Sequence, residues 1–367
     1  MKYWILTALL CATAAQAEFN LQETIDNAKS GTTIEVPKGT YTQPLQIKKG
    51  ITLKGSDATL EVESNQPAIL IDSYKKVAIE GLTIKYKTQS KPQKGDTPYA
   101  LFVRAGDVTL QGCTFNALGN GEQSPCAASA QDKSKMEIKN CRFNGFEYTI
   151  QFWNGAEGAV EDCVVMNPGH CGITIGSGSA VSLKRNIVTG SRYHAIRCTG
   201  GKIEADSNLV VRNKNRGFYI GSKSAIGEIS NNLIVDNATG INVFANSKLE
   251  IQNNVIVRSS FAGLCIADTA KLKIEGNIMA GNDKGVVGFA TEKGKKVTVS
   301  ISGKNLVHGS KTETEAAKLP SKTLKDDPKF KDEDAGLFKT GIKGMGLSDP
   351  EALQKLWIKW QAALDGK

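Results

Sequence analysis

Seven five-residue segments recur along the middle of the chain at almost constant spacing. YTIQF, CGITI, HAIRC, RGFYI, TGINV, AGLCI and KGVVG begin at Tyr148, Cys171, His194, Arg216, Thr239, Ala262 and Lys284, with steps of 23, 23, 22, 23, 23 and 22 residues. A period of this length marks a solenoid, in which one copy cannot bury its own apolar face and must stack on the next. Each copy has space for about three short strands of period-2 alternation between Gly, Asn and Ser turns, and none for a helix of about ten residues. That excludes βαβ and leucine-rich architectures. The expected fold is all-β: a single parallel β-helix with like residues of successive coils ~4.8 Å apart.

A second series runs inside the first. Leu82, Cys113, Cys141, Cys163, Asn186, Asn208, Asn232, Asn254 and Asn277 each follow an apolar residue three positions earlier, such as Leu110, Ile138 or Ile274. Side-chain amides stacked at one turn can hydrogen-bond to the copies above and below, which makes their burial tolerable. The three cysteines read as small buried residues continuing that inward column. Seven cysteines follow the first 17 residues, an odd number with no CxxC pair, so at least one thiol stays unpaired. Strict alternation puts Cys265 outward and makes it the expected reactive thiol.

The two ends differ from the repeats. Lys2, the apolar run WILTALLCA and Ala15-Gln16-Ala17 read as a secretory signal cleaved after Ala17, implying a secreted or periplasmic protein. The run is too short to span a bilayer. Asn20 followed by LQETIDNAK reads as a short capped helix closing the open strand edges of the first coil. The solenoid is expected over 18–310, a polar irregular tail over 311–347 and a helix over 348–367. That helix starts at Ser348-Asp349-Pro350 and packs Leu353, Leu356, Trp357, Trp360 and Leu364 on the solenoid. Insertions KTQSKPQKGD and ALGNGEQSP fall on loops of one face. The net charge of +9, from 46 Lys and Arg against 37 Asp and Glu, suits a polyanionic partner. The basic residues are dispersed and no nucleic-acid recognition motif is present, so the expected partner is not a nucleic acid. A monomer without a membrane span is expected.

The opening LQETIDNAKSGTTIEVPKGTYTQPLQIKKGITLKGSDATL resembles the entry of pectin-lyase-like right-handed parallel β-helix proteins. The Asn-rich repeats from Cys141 to Asn277 and the tail DDPKFKDEDAGLFKTGIKGMG are similar to the same superfamily. The resemblance covers nearly all of the chain after the signal. It implies a right-handed helix and a carbohydrate ligand, commonly an acidic polysaccharide, on an outward strand face. Because this scaffold hosts many chemistries, activity has to be argued from the site.

Outward residues of the repeated strand form a column of Gln151, Thr174, Arg197, Tyr219 and Asn242. Tyr148, His170, Tyr193, His194 and Arg216 lie beside it, and Trp153 just beyond. Lyase-type elimination from a uronate needs a neutralised carboxylate, a base for the adjacent proton and a proton donor for the leaving oxygen. Arg197 and Arg216 fit the first role as guanidinium forks, His194 or His170 the second and Tyr219 the third. Gln151, Trp153, Thr174, Tyr193, Asn242 and Tyr148 are the expected substrate-binding residues. The segment GHCGITIGS is similar to the histidine motif of polygalacturonases, but Cys198 replaces the lysine of their Arg-Lys motif and the paired aspartates are missing. The Asp-Pro-His-Asp motif of alginate epimerases is missing as well, NPGH at Asn167–His170 being the nearest approach. No cofactor is evident. Calcium is the cofactor the resemblance leaves open, although the outward column offers no carboxylate cluster; no other metal is indicated. The alternative is a non-catalytic carbohydrate-binding or structural β-helix.

Overall fold

The computed structural model describes residues 19–221, 225–244, 246–292 and 295–364; the expected signal segment lies outside them. The chain winds through three parallel sheets of 11, 12 and 12 strands, one strand per sheet in each coil. The first sheet runs from Thr33–Glu35 to Lys271–Glu275, the second from Gly39–Tyr41 to Leu306–His308, and the third from Leu45–Ile47 to Thr312–Glu315. A helix over Leu21–Asn27 covers the first coil, with the Asn20 side chain accepting the Glu23 N–H as its cap. The last third-sheet strand falls inside the segment expected to be irregular. Its residues, TETE, carry no apolar alternation; backbone pairing with Lys284–Phe289 and ion pairs of Glu315 with Lys284 and of Glu313 with Lys325 hold it.

The asparagine series forms a continuous buried ladder. Nδ2 of Asn186, Asn208, Asn232, Asn254 and Asn277 donates to Oδ1 of the next member at 2.9–3.0 Å, ending at Asn305, one coil beyond the repeat legible in sequence. Each Oδ1 also accepts the main-chain N–H of the previous member, so every coil is locked to its neighbour at a fixed residue. Upstream the column continues through thiols: Cys163 N–H donates to Asn186 Oδ1, Cys141 N–H to Cys163 Sγ and Cys113 N–H to Cys141 Sγ. A second ladder, at the entry to the third sheet, was not legible in the repeat. Ser191 N–H donates to Asn213 Oδ1, and Asn213 donates to Asn237 Oδ1 through both its main-chain N–H and its Nδ2. This ladder breaks at Ser259, whose buried hydroxyl has no partner. It begins beside Pro168, which has no N–H to satisfy.

The tail decides which face stays open. Second-sheet strands such as LVV, LIV and VIV are buried on both sides. Their outer residues Leu209, Val211, Leu233 and Val255 pack against Phe338, Met345, Leu353, Trp357 and Trp360. The C-terminal helix, Pro350–Leu364, docks on the solenoid through Leu353, Trp357 and Trp360 with Leu356 partly buried, whereas Leu364, expected on the same face, is exposed at the helix end. The first sheet faces solvent with exposed pairs such as Lys135–Glu137 and Lys273–Glu250. The tail leaves the outer face of the third sheet uncovered as well. No helix among the described residues is long and apolar enough to cross a membrane.

In the third sheet, simple alternation fails at one position per coil. In the six segments from Cys171 onward the second residue is Gly172, Ala195, Gly217, Gly240, Gly263 or Gly285 and points into the core, while the first segment carries the buried Thr149 there. A Cβ on Gly240 would lie 2.3 Å from Ile256 Cγ2 and 2.6 Å from the Gly263 carbonyl oxygen. With this residue and the next both inward, the first and fourth residues both face out. The bare face is therefore two columns wide.

Replacing Asn232 by Ala strands the Asn208 donors and is expected to destabilise the protein by about 2–4 kcal/mol. Ser259→Asn, which completes the second ladder, is expected to stabilise it by about 1 kcal/mol. Thermal denaturation midpoints should move in opposite directions; the same sign for both would refute the ladder account.

Candidate functional site

Strand pairing sets the outward column residue by residue: Gln151 beside Thr174, Thr174 beside Arg197, Arg197 beside Tyr219 and Tyr219 beside Asn242. The entry column is equally regular, with Tyr148, Cys171, His194 and Arg216 on successive strands. Burial then divides the expected residues. Thr174 is wholly covered, and Gln151 and Asn242 are 8% and 7% exposed. Arg197, Tyr219, Arg216, Tyr148, His170 and Trp153 are half-buried, and Tyr193 is exposed. The side chains a ligand can reach thus concentrate on the coils of His194 and Arg216 and on the turn edges beside them. Cys265 corrects the expectation of a reactive thiol. It lies in the outward column but is 2% exposed, packed with Ala262, Val287 and Phe289, and burial pushes its pKa up to about 12.

Aromatic and imidazole rings tie the cluster together. His170 stacks between Tyr148, at 4.9 Å, and Tyr193, at 4.6 Å. His194 lies edge-on to His170 at 6.1 Å and stacks on Tyr219 at 4.4 Å. The Arg216 guanidinium sits 5.5 Å from the Tyr219 ring centre. Rings held on both sides lose little freedom when a ligand arrives, which is the property a preorganised site requires.

The electrostatics are cationic without a matching acid. Among the described residues, neither Arg197 nor Arg216 makes an ion pair with a carboxylate. Burial, then Arg216, Arg197 and His170, lower the His194 pKa to about 4. Burial and Arg197 also lower that of His170, whose Nδ1 lies 2.9 Å from the Cys171 thiol. Both imidazoles are therefore neutral at neutral pH and available as bases. Burial raises the Tyr148 hydroxyl pKa, keeping it protonated.

One residue escaped the sequence reading. Glu147 precedes Tyr148 and shares the 23-residue spacing of His170 and Tyr193, so that spacing was the available signal. Its carboxylate occupies the space left by the missing side chain of Gly169, and its carbonyl accepts the His170 N–H at 2.7 Å. Burial raises its pKa, with Arg192 acting in the opposite sense. It brings an acidic group to the edge of the patch. Among the described residues, no group of three or more His, Cys, Asp or Glu side chains is arranged to hold a metal ion.

Fold and patch together define a parallel β-helix whose third sheet, left uncovered by the tail, carries two guanidinium groups among stacked rings. The chain belongs to the right-handed β-helix family: the family model "Right handed beta helix region" matches residues 45–227 and 211–313. A search of curated protein sequences finds no match. Among solved structures, the periplasmic alginate epimerase AlgG is similar with a TM-score of 0.61 at 15% identity, covering 84% of this chain and 81% of that one. The PL6 family alginate lyase AlyGC gives 0.55 at 13% identity over 89% of this chain and 55% of that one. The A-module of the Azotobacter vinelandii mannuronan C-5 epimerase AlgE6 gives 0.54 at 12% identity, over 84% and 94%. At these identities the likeness is one of fold.

The depressed His194 pKa has a consequence for stability. Above pH 6.5 the imidazole is neutral in both folded and unfolded chains and contributes no pH dependence. Between pH 6.5 and about 4 the unfolded chain takes up a proton that the folded site refuses, so stability falls as pH falls through this window. His194→Phe is expected to flatten that part of the curve of melting temperature against pH. An unchanged slope would show that His194 titrates normally.

Proposed function

We propose that the protein is an exported enzyme acting, as a monomer, on an acidic, uronate-containing glycan laid across the third sheet, by a lyase-type elimination. The observation that carries this reading is the pair of Arg197 and Arg216, free of carboxylate partners among the described residues, flanking a neutral and nearly buried His194 stacked on Tyr219. A uronate carboxylate bound by the guanidinium groups becomes a better electron sink, which acidifies the proton on the adjacent carbon C5. His194 takes that proton. The electron pair forms the C4–C5 double bond as the C4–O bond breaks, and the Tyr219 hydroxyl protonates the departing oxygen. The proton held on the imidazole then returns to the tyrosinate. His170, in the same neutral state, forms the wall with Tyr148 and Tyr193.

The names of the structural neighbours include both epimerases and a lyase. Both reactions begin with loss of the C5 proton. Elimination is preferred here because His194, Arg197 and Tyr219 all rise from one sheet face. That arrangement favours departure of the neighbouring oxygen over reprotonation from the far side of the sugar. The absence of acidic side chains from the exposed column favours the alternative of a binding protein, and the test below separates the two.

Uronate polymers incubated with the protein in deuterated water should show new unsaturated ends by ultraviolet absorbance. Arg197→Lys should reduce turnover by about 10²-fold, because an ammonium cannot hold a carboxylate at two points. His194→Ala should abolish it. Deuterium at C5 without unsaturation would replace elimination by epimerisation. Binding with neither signal would make this a binding protein.

A further inference from the structure

One position past each repeated strand, the backbone ladder still holds. Trp153, Gly176, Thr199, Gly221 and Phe244 lie on successive coils, with the N–H of Gly176 donating to Phe152 O, that of Thr199 to Ile175 O, that of Gly221 to Cys198 O and that of Phe244 to Ile220 O. This exit column borders the Arg197 column on the side opposite the stacked Tyr148, His170 and Tyr193. Its two aromatic members lean toward one another over glycines. Carbons of the Trp153 ring lie 2.0 and 2.6 Å from where a Gly176 Cβ would stand. The Phe244 Cβ and ring lie 2.4 and 2.9 Å from the corresponding point on Gly221. Any side chain at either glycine would displace its ring. Both rings are half-buried, so each keeps an uncovered part.

Trp153 thus covers the coil before Arg197 and Phe244 the coil after it. Only Thr199, on the same strand end as Arg197, separates them. Coils ~4.8 Å apart put the two ring seats two coils, about 10 Å, apart along the axis. A pyranose presents an apolar C–H face that packs on an aromatic ring, and a linear glycan advances by roughly one coil per unit. A unit whose carboxylate rests on Arg197 therefore has one neighbour over each ring. We propose that Trp153 and Phe244 are stacking platforms bracketing the unit held by Arg197, so that three consecutive sugars are the shortest ligand to fill the site, with the chain parallel to the helix axis. This rests on the reading of the third sheet as an acidic-glycan site and adds to it length selectivity and direction. Phe244 pairs with the ring ladder through Tyr219 at 5.0 Å, which couples that platform to the group assigned as proton donor.

The test is a titration of the full-length protein with 1,4-linked oligouronates of two to six units and, in parallel, neutral xylo-oligosaccharides, read by calorimetry and tryptophan fluorescence. Trp357 and Trp360 of the C-terminal helix are buried against the second sheet, leaving Trp153 as the reporter among the described residues. Affinity for oligouronates is expected to rise at least tenfold from two units to three and then level off. Phe244→Ala and Trp153→Ala should each remove most of that step while leaving affinity for the two-unit ligand within about threefold; calorimetry reads the second variant. Phe244→Tyr and Trp153→Phe, which keep a ring on each glycine, should retain it and guard against misfolding. Oligouronate binding with no step at three units, or a step unaffected by either alanine variant, overturns the platforms and leaves the acidic-glycan reading standing. A step seen only with the neutral series overturns that reading and keeps the platforms. Binding to neither series overturns both.

Discussion

Everything in this molecule depends on coils being stacked in an invariant register, and buried amide ladders impose it. An asparagine inside a β-helix has no water to satisfy it, so its oxygen and nitrogen must meet groups on adjacent coils. The Asn186–Asn305 ladder does this with a side-chain bond and a main-chain bond at every step. A slip by one residue would break both and turn apolar side chains outward. His194 and Arg216, 22 residues apart in sequence, are neighbours in space because that slip is forbidden.

The three sheets use the same backbone pairing for different ends. Charged pairs keep the first in water. The tail and C-terminal helix seal the second, whose strands are apolar on both sides. The third retains an uncovered outer face, and the inward glycine or alanine at the second position of the segments from Cys171 onward doubles its outward columns there. Side chains from the entry, centre and exit of the strand can therefore converge on one glycan. The charge state of that face follows from burial first and then from the guanidinium groups, which have no carboxylate partner among the described residues: together they keep the imidazoles neutral, and the positive field is left for any anion that arrives.

The repeat and the inward asparagines were legible because they recur at a fixed spacing that the eye can count. The second ladder was not legible, since it starts at a serine, Ser191, and is interrupted by another, Ser259, after two asparagines. Glu147 was passed over because its neighbours in the column are His170 and Tyr193, which share its position but not its chemistry. Cys265 was misjudged because alternation says which way a side chain points and nothing about what lies over it; Ala262, Val287 and Phe289 cover it. Thr174, Gln151 and Asn242 show the same effect, aligned with Arg197 and Tyr219 yet covered by their neighbours.

The sequence alone determined the solenoid, its period and the column to which each residue belongs, because stacking is local and periodic and each coil repeats the same hydrogen-bonding problem. Tertiary structure decided which face the tail would cover, which outward residues would keep contact with solvent, and that Trp153 and Phe244 would lean over Gly176 and Gly221 toward Arg197. Those outcomes depend on the packing of side chains from coils far apart in the chain, and no spacing rule records how large neighbours share the space above a sheet.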